Sequence, residues 1–326
     1  MAVVAVTDHV FTDLDRERAL LEAAGHELRF ERNATTPDEV RAAVAGADAI
    51  LNCYTVIPAE VIRELEACRV IARYGIGLDT IDLDAATARG IVVTNVPDYC
   101  VDEVSDHALA LMLALARGVA RLDRSVRGGS WTPSDARPLH RLRGRTLGLI
   151  GFGKIATTLA AKCGSLGLAV AVYDPFVPDD VVRAAGGEPL PLEALLADAD
   201  IVSLHAPLTE QTRHLIGDTE LAIMKPGAFL INTSRGPLID HDALDAALET
   251  GRLGGVGLDV LETEPPAADD PLLRRDNVIV TPHAAFYSEE SVAELQRKAA
   301  EQVVAVLAGQ APPYAVNAAA LAERRG

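Results

Sequence analysis

Three side chains that could reduce a carbonyl group each follow an apolar run in the second half of the chain. Arg235 follows FLINTS, Glu264 lies just past GVGLDV, and His283 lies shortly after NVIVT. Hydride transfer to a 2-keto acid needs a cation for the carboxylate and an acid for the carbonyl oxygen, and an arginine and a carboxylate-paired histidine meet these needs. Taken singly, each residue also fits another role: a surface cation, a turn residue or a packed histidine. Together they predict a dehydrogenase site.

A glycine-rich turn earlier in the same half predicts a bound dinucleotide. Gly151, Gly153 and Ala156 form GxGxxA between the apolar run TLGLI and a helical pattern. The first glycine permits a tight turn, the second lets a pyrophosphate approach the backbone, and the small third residue lets the helix pack on the strand. Asp174 ends the next predicted strand, where a carboxylate binds a ribose diol and repels a 2′-phosphate, so NAD is favoured over NADP. The alternative is a glycine turn without a ligand.

The elements that would position these residues alternate between strand and helix along the chain. Short apolar runs separated by helical patterns are typical of parallel βαβ units whose sheets are covered on both faces. A linker rich in Gly, Pro and Arg at 127–146 separates two such series, and long helices are predicted at 101–117 and 288–307. The predicted strands are 2–7, 26–31, 49–52, 70–75, 91–96, 146–151, 169–174, 200–205, 228–234, 255–260 and 277–281.

Ligands of open α/β sheets bind at the carboxyl ends of the strands. Polar residues follow several predicted strands of the second series, namely Asp174, His205, Arg235, Asp259 and His283. We therefore expect these residues to lie at one edge of one sheet.

Composition narrows the class of protein. The chain has 326 residues, which suggests two domains, and 49% of them are hydrophobic but only 4% aromatic, so the cores must be mainly aliphatic. With 30 Lys and Arg against 47 Asp and Glu, the net charge of −17 disfavours nucleic acid and anionic membranes as partners. The start of the chain predicts a strand rather than a signal peptide, and the apolar run 108–116 is too short to span a bilayer. Four cysteines without a CxxC pair predict a cytoplasmic protein with no zinc or other metal site.

Longer motifs occur in order along nearly the whole chain. They are RYGIGLDTIDLDAATARGIVVTNVP, DEVSDHALALMLALAR, LGLIGFGKIA, VSLHAPLTEQTRHLI, MKPGAFLINTSRGPLID, GVGLDVLETEPP and NVIVTPHAAFYSEES. This set resembles the D-isomer-specific 2-hydroxyacid dehydrogenase family, which includes phosphoglycerate and D-lactate dehydrogenases, glyoxylate/hydroxypyruvate reductases and the C-terminal-binding-protein corepressors.

The resemblance implies roles for the candidate catalytic residues. Arg235 would hold the substrate carboxylate and polarise the carbonyl, His283 would be the acid/base, and Glu264 would pair with His283. Tyr54, which follows a predicted strand of the first series, is a candidate for the side-chain pocket. Other substrate contacts implied by the resemblance are Arg73, the backbone at Gly75, Ile76 and Gly77, and the aromatic ring of Phe286.

The resemblance also implies how NAD is held. Asp259 would lie near the nicotinamide carboxamide, His205 would line the adenosine side, and Val104 would approach the nicotinamide. The full predicted contact set is Val104, Gly151, Phe152, Gly153, Lys154, Ile155, Asp174, His205, Ala206, Pro207, Thr212, Thr233, Ser234, Asp259 and Ala285.

For the fold, the resemblance implies two doubly wound parallel-sheet α/β domains. A Rossmann cofactor domain, 99–286, would be inserted into a flavodoxin-like substrate-binding domain, 1–98 plus 287–326. The helix at 101–119 would bridge the domains and contribute to a homodimer.

The sequence leaves the identity of the substrate open and is compatible with two rival functions. PHAAFYS departs from the PHxGxxT of many relatives and is similar to the corepressor-like members, so a plain glycerate or phosphoglycerate substrate is put in doubt. An aromatic at Phe286 suggests a side chain with apolar parts, whereas Arg73 would suit a phosphono or carboxylate group. Trp131 and Tyr287 fit either packing or the pocket. The rival functions are an NAD(H)-sensing, corepressor-like scaffold, and oxidation of an anion without a keto carbon, such as formate or phosphite.

Overall fold

The computed structural model describes residues 1–324 as two compact α/β units. The first unit comprises Met1–Cys100 together with the segment from Tyr287 onward, and the second is Val101–Phe286. Tyr99 and Cys100 are buried at 7% and 2% exposure, and they group with the first unit. This boundary lies two residues beyond the one at 98/99 predicted from the sequence.

The strands are short, apolar and mostly buried on both faces. Runs such as AILN and VIAR are buried at every position, the pattern of a strand covered on both faces. In chain order β1 to β12 are Val3–Val6, Glu27–Arg29, Ala49–Asn52, Val70–Arg73, Val92–Thr94, Thr146–Ile150, Ala169–Tyr173, Glu188–Pro189, Ile201–Leu204, Ala228–Asn232, Leu253–Leu258 and Val278–Val280.

Helices lie between most consecutive strands, as parallel pairing requires, and the last two helices follow the final strand. In chain order α1 to α13 are Asp15–Ala23, Pro37–Val44, Ala59–Glu64, Leu83–Ala88, Val101–Ala116, Val119–Arg127, Lys154–Gly164, Asp179–Ala184, Leu192–Asp198, Asp218–Ile223, His241–Glu249, Glu289–Leu307 and Ala318–Glu323.

The two sheets have the strand orders of doubly wound folds. The first unit has the order β2-β1-β3-β4-β5, which is the flavodoxin-like order. The second has β12-β11-β10-β9-β6-β7-β8, in which β6 to β8 and β9 to β12 run outward from a central switch point, as in a Rossmann sheet. All pairings between these strands are parallel. The predicted fold class is confirmed.

Alternation along the strands of the second unit divides its core between the two faces of the sheet. Leu230 and Ile150 belong to one buried cluster, and their chain neighbours Ile231 and Leu149 belong to the other. Successive strand residues point to opposite faces, so both faces are covered by helices. The sheet is therefore accessible to a ligand at the ends of its strands, where the polar residues lie.

The long C-terminal helix begins as the sequence predicts. Ser288 is the N-cap of α12, and its hydroxyl accepts a hydrogen bond from Ser291 N at 2.9 Å. Ser291 Oγ in turn accepts from Ser288 N at 2.9 Å, which completes a reciprocal capping box. Glu289 and Glu290 add negative charge to the first turn, where the helix dipole favours it.

None of the helices within residues 1–324 combines the length and the apolar character needed to cross a bilayer.

A buried carboxylate in the first unit gives the stability of the protein a pH dependence. Glu17 on α1 is 0% exposed, and its Oε2 accepts a hydrogen bond from Gln296 Nε2 at 3.1 Å. Burial raises the pKa of Glu17 above its ordinary value of 4.5, and the nearby charge of Asp13 adds to the shift, against the lowering effect of the Gln296 hydrogen bond. The folded protein thus holds this proton more tightly than the unfolded chain. Stability from Glu17 is present below pH 4.5 and is lost as the pH rises through the folded-state pKa.

Glu17→Gln is expected to flatten this dependence, because a neutral amide of the same size replaces a carboxyl group that must ionise in a buried site. Above neutral pH the variant should have the higher Tm, by roughly 2–4 °C for each kcal/mol recovered. Thermal unfolding from acid to mildly alkaline pH measures the effect. Glu22→Gln, an exposed position on the same helix, is the matched control. Parallel pH profiles for parent and Glu17→Gln would contradict the prediction.

Candidate active site

The structure brings His283 and Glu264 into direct contact in the second unit. His283 Nδ1 lies 2.8 Å from Glu264 Oε2, and Leu261 N donates to the other carboxylate oxygen, Glu264 Oε1, at 2.9 Å. The two partners are separated by 19 residues, since Glu264 follows β11 and His283 follows the adjacent strand β12. With Nδ1 directed at Glu264, Nε2 is the ring nitrogen directed away from this pair.

Electrostatics favour the ionised form of Glu264. Burial acts to raise the pKa of Glu264, but the hydrogen bond and charge of His283, the Leu261 N–H and the positive charge of Arg235 together hold it below its ordinary value of 4.5. Arg235 therefore lies close enough to act on Glu264. The three candidate catalytic residues share one electrostatic environment at the carboxyl ends of β10 to β12.

His283 has an unusual backbone, which the loop around it must hold. Its φ of 52° lies in the left-handed region, which is unfavourable for a residue with a side chain. Asp259 O accepts His283 N at 2.8 Å, and the Asp259 carboxylate accepts Ala284 N at 2.9 Å and Ala285 N at 2.8 Å. Three consecutive amides of the histidine loop thus converge on Asp259, which is 2% exposed.

The backbone at Arg235 is fixed by close packing at the end of β10. A Cβ built on Gly236 would lie 1.9 Å from Leu261 O, so only glycine allows the chain to pass there. Asn232 Nδ2 donates to Arg235 O at 2.8 Å, and Arg235 Nη1 donates to Ser234 O at 2.7 Å. The main chain that carries the guanidinium is therefore held by the segment that leads to Glu264.

The substrate-contact residues predicted in the first unit cluster at the ends of β3 and β4. Arg73 is 6% exposed, its guanidinium carbon lies 5.8 Å from the centroid of the Tyr54 ring, and no hydrogen-bond partner reaches its Nε among the residues described. Gly75 has a φ of 140°, and a Cβ there would lie 1.3 Å from Arg73 Nη1. Ile76 O accepts Asn95 Nδ2 at 2.7 Å, and Gly77 follows in the same loop.

Asp8 shapes the loop that carries Tyr54, and sequence reasoning did not single it out. Its carboxylate accepts Cys53 N at 3.0 Å, Tyr54 N at 2.6 Å and Thr55 N at 3.0 Å. Its position two residues after β1 was the available signal, because side chains that follow adjacent parallel strands meet at one edge of the sheet.

The glycine turn has the geometry that its sequence predicts. Gly151 has a φ of 88°, and a Cβ there would lie 2.7 Å from the carbonyl carbon of His205. A Cβ on Gly153, by contrast, meets nothing within 4 Å, so the start of α7 faces open space. Phe152 N donates to Asp174 Oδ2 at 2.8 Å, and Phe176 N donates to Asp174 Oδ1 at 2.8 Å. The carboxylate is therefore held at the turn, and each oxygen keeps a lone pair for a ligand.

The loop after β9 is stabilised by internal hydrogen bonds. Burial lowers the pKa of His205 to about 4, so its ring is neutral, and Nε2 lies 2.9 Å from Ser203 Oγ. Thr212 Oγ1 donates to Pro207 O at 2.6 Å and accepts Thr209 N at 2.7 Å. The Thr212 hydroxyl thus has an internal role in shaping this loop.

The remaining predicted contacts fall at the same edge or on α5. Ser234 Oγ donates to Leu204 O at 2.7 Å, whereas Thr233 Oγ1 is buried without a partner among the described residues. Val104 is 7% exposed on α5.

The other predicted contacts lie where elements of the second unit begin or end. The start of α7 contains Lys154 and Ile155, the loop after β9 contains Ala206 and Pro207, and the loop after His283 contains Ala285 and Phe286.

The two aromatics left open by the sequence have exposed positions. Trp131 is 89% exposed, and Tyr287 is 55% exposed with its hydroxyl donating to Glu289 Oε1 at 3.0 Å. Neither ring packs in the core of its own unit.

Comparisons with known proteins identify the family to which this site belongs. The family model for the NAD-binding domain of D-isomer specific 2-hydroxyacid dehydrogenases matches residues 109–285. A glyoxylate reductase from Korarchaeum cryptofilum is 40% identical over 309 residues, which cover 92% of this chain and 93% of the relative. The chain belongs to the D-isomer-specific 2-hydroxyacid dehydrogenase family. It is an NAD-dependent oxidoreductase that acts on the CH–OH group of 2-hydroxy acids.

Other relatives of this dehydrogenase differ in length and substrate. A D-3-phosphoglycerate dehydrogenase from Archaeoglobus fulgidus is 36% identical over 90% of this chain, but the match spans only 55% of that relative. A D-lactate dehydrogenase from Aquifex aeolicus, solved with NAD and lactic acid, has a TM-score of 0.85 and 29% identity over 94% of this chain and 96% of its own.

The glycine turn and its surroundings fit NAD. The open space at Gly153 leaves room for a pyrophosphate beside the backbone N–H groups that begin α7. Thr233 Oγ1 is a buried polar atom without a protein partner, which a polar group such as a carboxamide would satisfy. Asp174 is held where a ribose diol would be recognised.

Asp174→Ala is expected to reduce the preference for NADH over NADPH by about tenfold, because it removes a carboxylate that would repel the 2′-phosphate. The measurement is the ratio of kcat/KM for the two cofactors at a fixed saturating 2-keto acid. Asp180→Ala, an exposed carboxylate on α8, is the control. An unchanged ratio in Asp174→Ala would show that this residue does not set cofactor preference.

Proposed function

We propose that this dehydrogenase runs as a reductase of a small 2-keto acid, with Arg235, Glu264 and His283 as its catalytic residues. The observation that carries the proposal is the 2.8 Å pair between His283 Nδ1 and Glu264 Oε2, with Arg235 close enough to act on the same carboxylate. A carbonyl reductase needs a proton donor beside a group that anchors the substrate carboxylate, and this cluster supplies both.

The roles follow from the geometry of each group. Arg235 binds the substrate carboxylate through two parallel hydrogen bonds and fixes the position of the 2-keto carbon. NADH, when bound, supplies the hydride. His283 Nε2 passes its proton to the carbonyl oxygen as that oxygen becomes an alkoxide. Glu264 stabilises the imidazolium before the transfer and keeps Nδ1 protonated after it.

The substrate is proposed to be a short 2-keto acid of the glyoxylate or pyruvate type. The chain matches 93% and 85% of two glyoxylate reductases, against 55% of the phosphoglycerate dehydrogenase from Archaeoglobus fulgidus. Arg73 is a buried cation with no ion pair to a carboxylate among the described residues, so we propose that it binds an anionic group of the substrate. The aromatic rings of Tyr54 and Phe286 would contact the substrate side chain.

The same proposal covers the organisation of the enzyme. The first unit, Met1–Cys100 with the segment from Tyr287 onward, binds substrate, and the second unit, Val101–Phe286, binds NAD. The four cysteines are buried and form no disulfide among the residues described, which supports a reducing, cytoplasmic location. Exposed apolar side chains on and after α6, namely Val119, Val126 and Trp131, support association into a homodimer through the second unit. The net charge of −17 supports small-molecule partners rather than nucleic acid or membrane.

A panel of 2-keto acids with NADH tests the proposal. The panel should include glyoxylate, pyruvate, hydroxypyruvate, and phosphonylated and methylthio-substituted keto acids. Saturable NADH oxidation with a short member supports the reductase. Tight NADH binding with no turnover across the panel would overturn it in favour of a cofactor-sensing scaffold. NAD reduction by formate or phosphite, without keto-acid turnover, would overturn it in favour of that other chemistry.

A further inference from the structure

We propose that His107 is a positioning residue for the acid/base His283, acting through the hydroxyl of Thr281 and the carboxylate of Asp259. The inference rests on the proposed role of His283. His107 lies on α5, 174 residues before Thr281 in sequence, and all four residues belong to the second unit.

The Thr281 hydroxyl joins His107 to Asp259. Thr281 Oγ1 donates to Asp259 Oδ1 at 2.6 Å, and His107 Nε2 lies 2.8 Å from the same hydroxyl oxygen. An ionised carboxylate only accepts hydrogen bonds, so the single hydroxyl proton of Thr281 is directed at Asp259. His107 Nε2 must then carry a proton and donate it to the remaining lone pair of Thr281. The hydrogen bonds therefore run from His107 to Thr281 and from Thr281 to Asp259, and His107 has its proton on Nε2.

The hydrogen bonds from His107 through Thr281 reach Asp259, which binds the loop that carries His283. The Asp259 carboxylate that accepts from Thr281 also accepts Ala284 N and Ala285 N, and Asp259 O accepts His283 N. These bonds hold His283 in a left-handed backbone conformation that it would not adopt unaided. The orientation of the Asp259 carboxylate therefore decides where the His283 ring lies relative to Glu264.

The packing of α5 on β11 places His107 level with Asp259. A Cβ on Gly255 would lie 3.0 Å from Leu115 Cδ2, and one on Gly257 would lie 3.0 Å from Leu111 Cβ. Alternate residues of the strand thus face every fourth residue of the helix, and the next pair in this series is Asp259 and His107. The two spacings match because four helical residues rise about 6.0 Å and two strand residues about 6.6 Å. His107 Nε2 accordingly lies 3.6 Å from Asp259 Oδ1.

Tight packing makes α5 a rigid support for this contact. The absence of side chains at Gly255 and Gly257 lets the helix approach the strand closely, so His107 is held by the core rather than by a loop. Its side chain is 25% exposed, and its Nε2 faces the protein at Thr281. Without the donor, the Thr281 hydroxyl can rotate away from Asp259 and the histidine loop loses one of its constraints.

The test compares His107→Leu, which removes the donor, with His107→Gln, whose amide nitrogen can occupy the place of Nε2. We expect His107→Leu to lower kcat about tenfold, because small misplacements of a catalytic group are costly, with little change in KM since Arg235 is untouched. His107→Gln should recover most of the lost turnover. Thr281→Val should lower kcat as much as His107→Leu does, whereas Thr281→Ser, which keeps the hydroxyl, should retain activity. The double variant His107→Leu/Thr281→Val should have the same kcat as Thr281→Val alone.

The decisive comparison is the effect of His107→Leu in the parent enzyme and in the His283→Asn variant. If His107 acts through His283, His107→Leu should not further lower the residual turnover of His283→Asn. An equal fall in both backgrounds, a normal kcat in His107→Leu, or a failure of His107→Gln to restore turnover would overturn the inference while the role of His283 stands. Near-normal turnover of His283→Asn by itself would remove the proposed role of His283, and this inference with it.

Discussion

Replacing His283 by asparagine is expected to lower kcat for 2-keto acid reduction by about 10²-fold or more, because the reaction loses its proton donor. Asparagine is the informative replacement at this position. It tolerates the left-handed backbone, so the φ of 52° and the amides that bind Asp259 can be retained. An alanine would combine the loss of the imidazole with strain in the loop. Steady-state kinetics at saturating NADH and keto acid measure the effect.

His283→Asn should slow the chemical step without changing cofactor binding. NADH affinity, measured by the change in NADH fluorescence on binding, should stay close to that of the parent, because the glycine turn lies elsewhere on the sheet. His140→Asn, an exposed histidine of the same unit, is the control for any general effect of losing an imidazole. If His283→Asn turns over at a rate close to that of the parent, another group is the acid.

Replacing Arg235 by alanine is expected to lower kcat/KM for the keto acid by about 10²-fold or more and to abolish saturation at accessible concentrations. Hydrogen bonds to charged groups contribute about 1.5–3 kcal/mol each, and losing a bidentate pair removes at least 3 kcal/mol, or about 10²-fold. Arg235→Lys keeps the charge but not the planar two-donor geometry, so its kcat/KM should lie between those of the parent and Arg235→Ala.

NADH binding separates a substrate-binding role for Arg235 from a structural one. The main chain at Arg235 is held by the Asn232 side chain and by the close packing of Gly236, so we expect the end of β10 and the 3-10 turn after it to survive the loss of the guanidinium. Arg235→Ala should therefore bind NADH as the parent does. Arg213→Ala, an exposed arginine paired with Glu262 in the same unit, is the matched control. Loss of both NADH and keto-acid binding in Arg235→Ala would indicate that the residue holds the fold together.

Most of the fold could be predicted from the sequence because both sheets are built from repeated local patterns. Every predicted strand is present, with ends that differ by up to two residues, as for β11, which begins at Leu253 rather than at residue 255. β8 was missed because it has only two residues, Glu188 and Pro189, too few for any pattern. α6 was also missed, since Gly118 interrupts the helical pattern before it and the helix has no fully buried residue.

The sequence by itself determined which residues stand at the strand ends, because the order of strand, polar residue and helix is local. That was enough to single out Arg235, Glu264 and His283 and to predict NAD from the glycine turn and Asp174. Only the tertiary structure decided how these residues meet. The pairing of His283 with Glu264 joins residues 19 apart in sequence, and the contact between His107 and Thr281 joins residues 174 apart. The left-handed backbone of His283 is likewise visible only in the structure. Strand register and helix packing fix such contacts, and neither leaves a signal in local spacing.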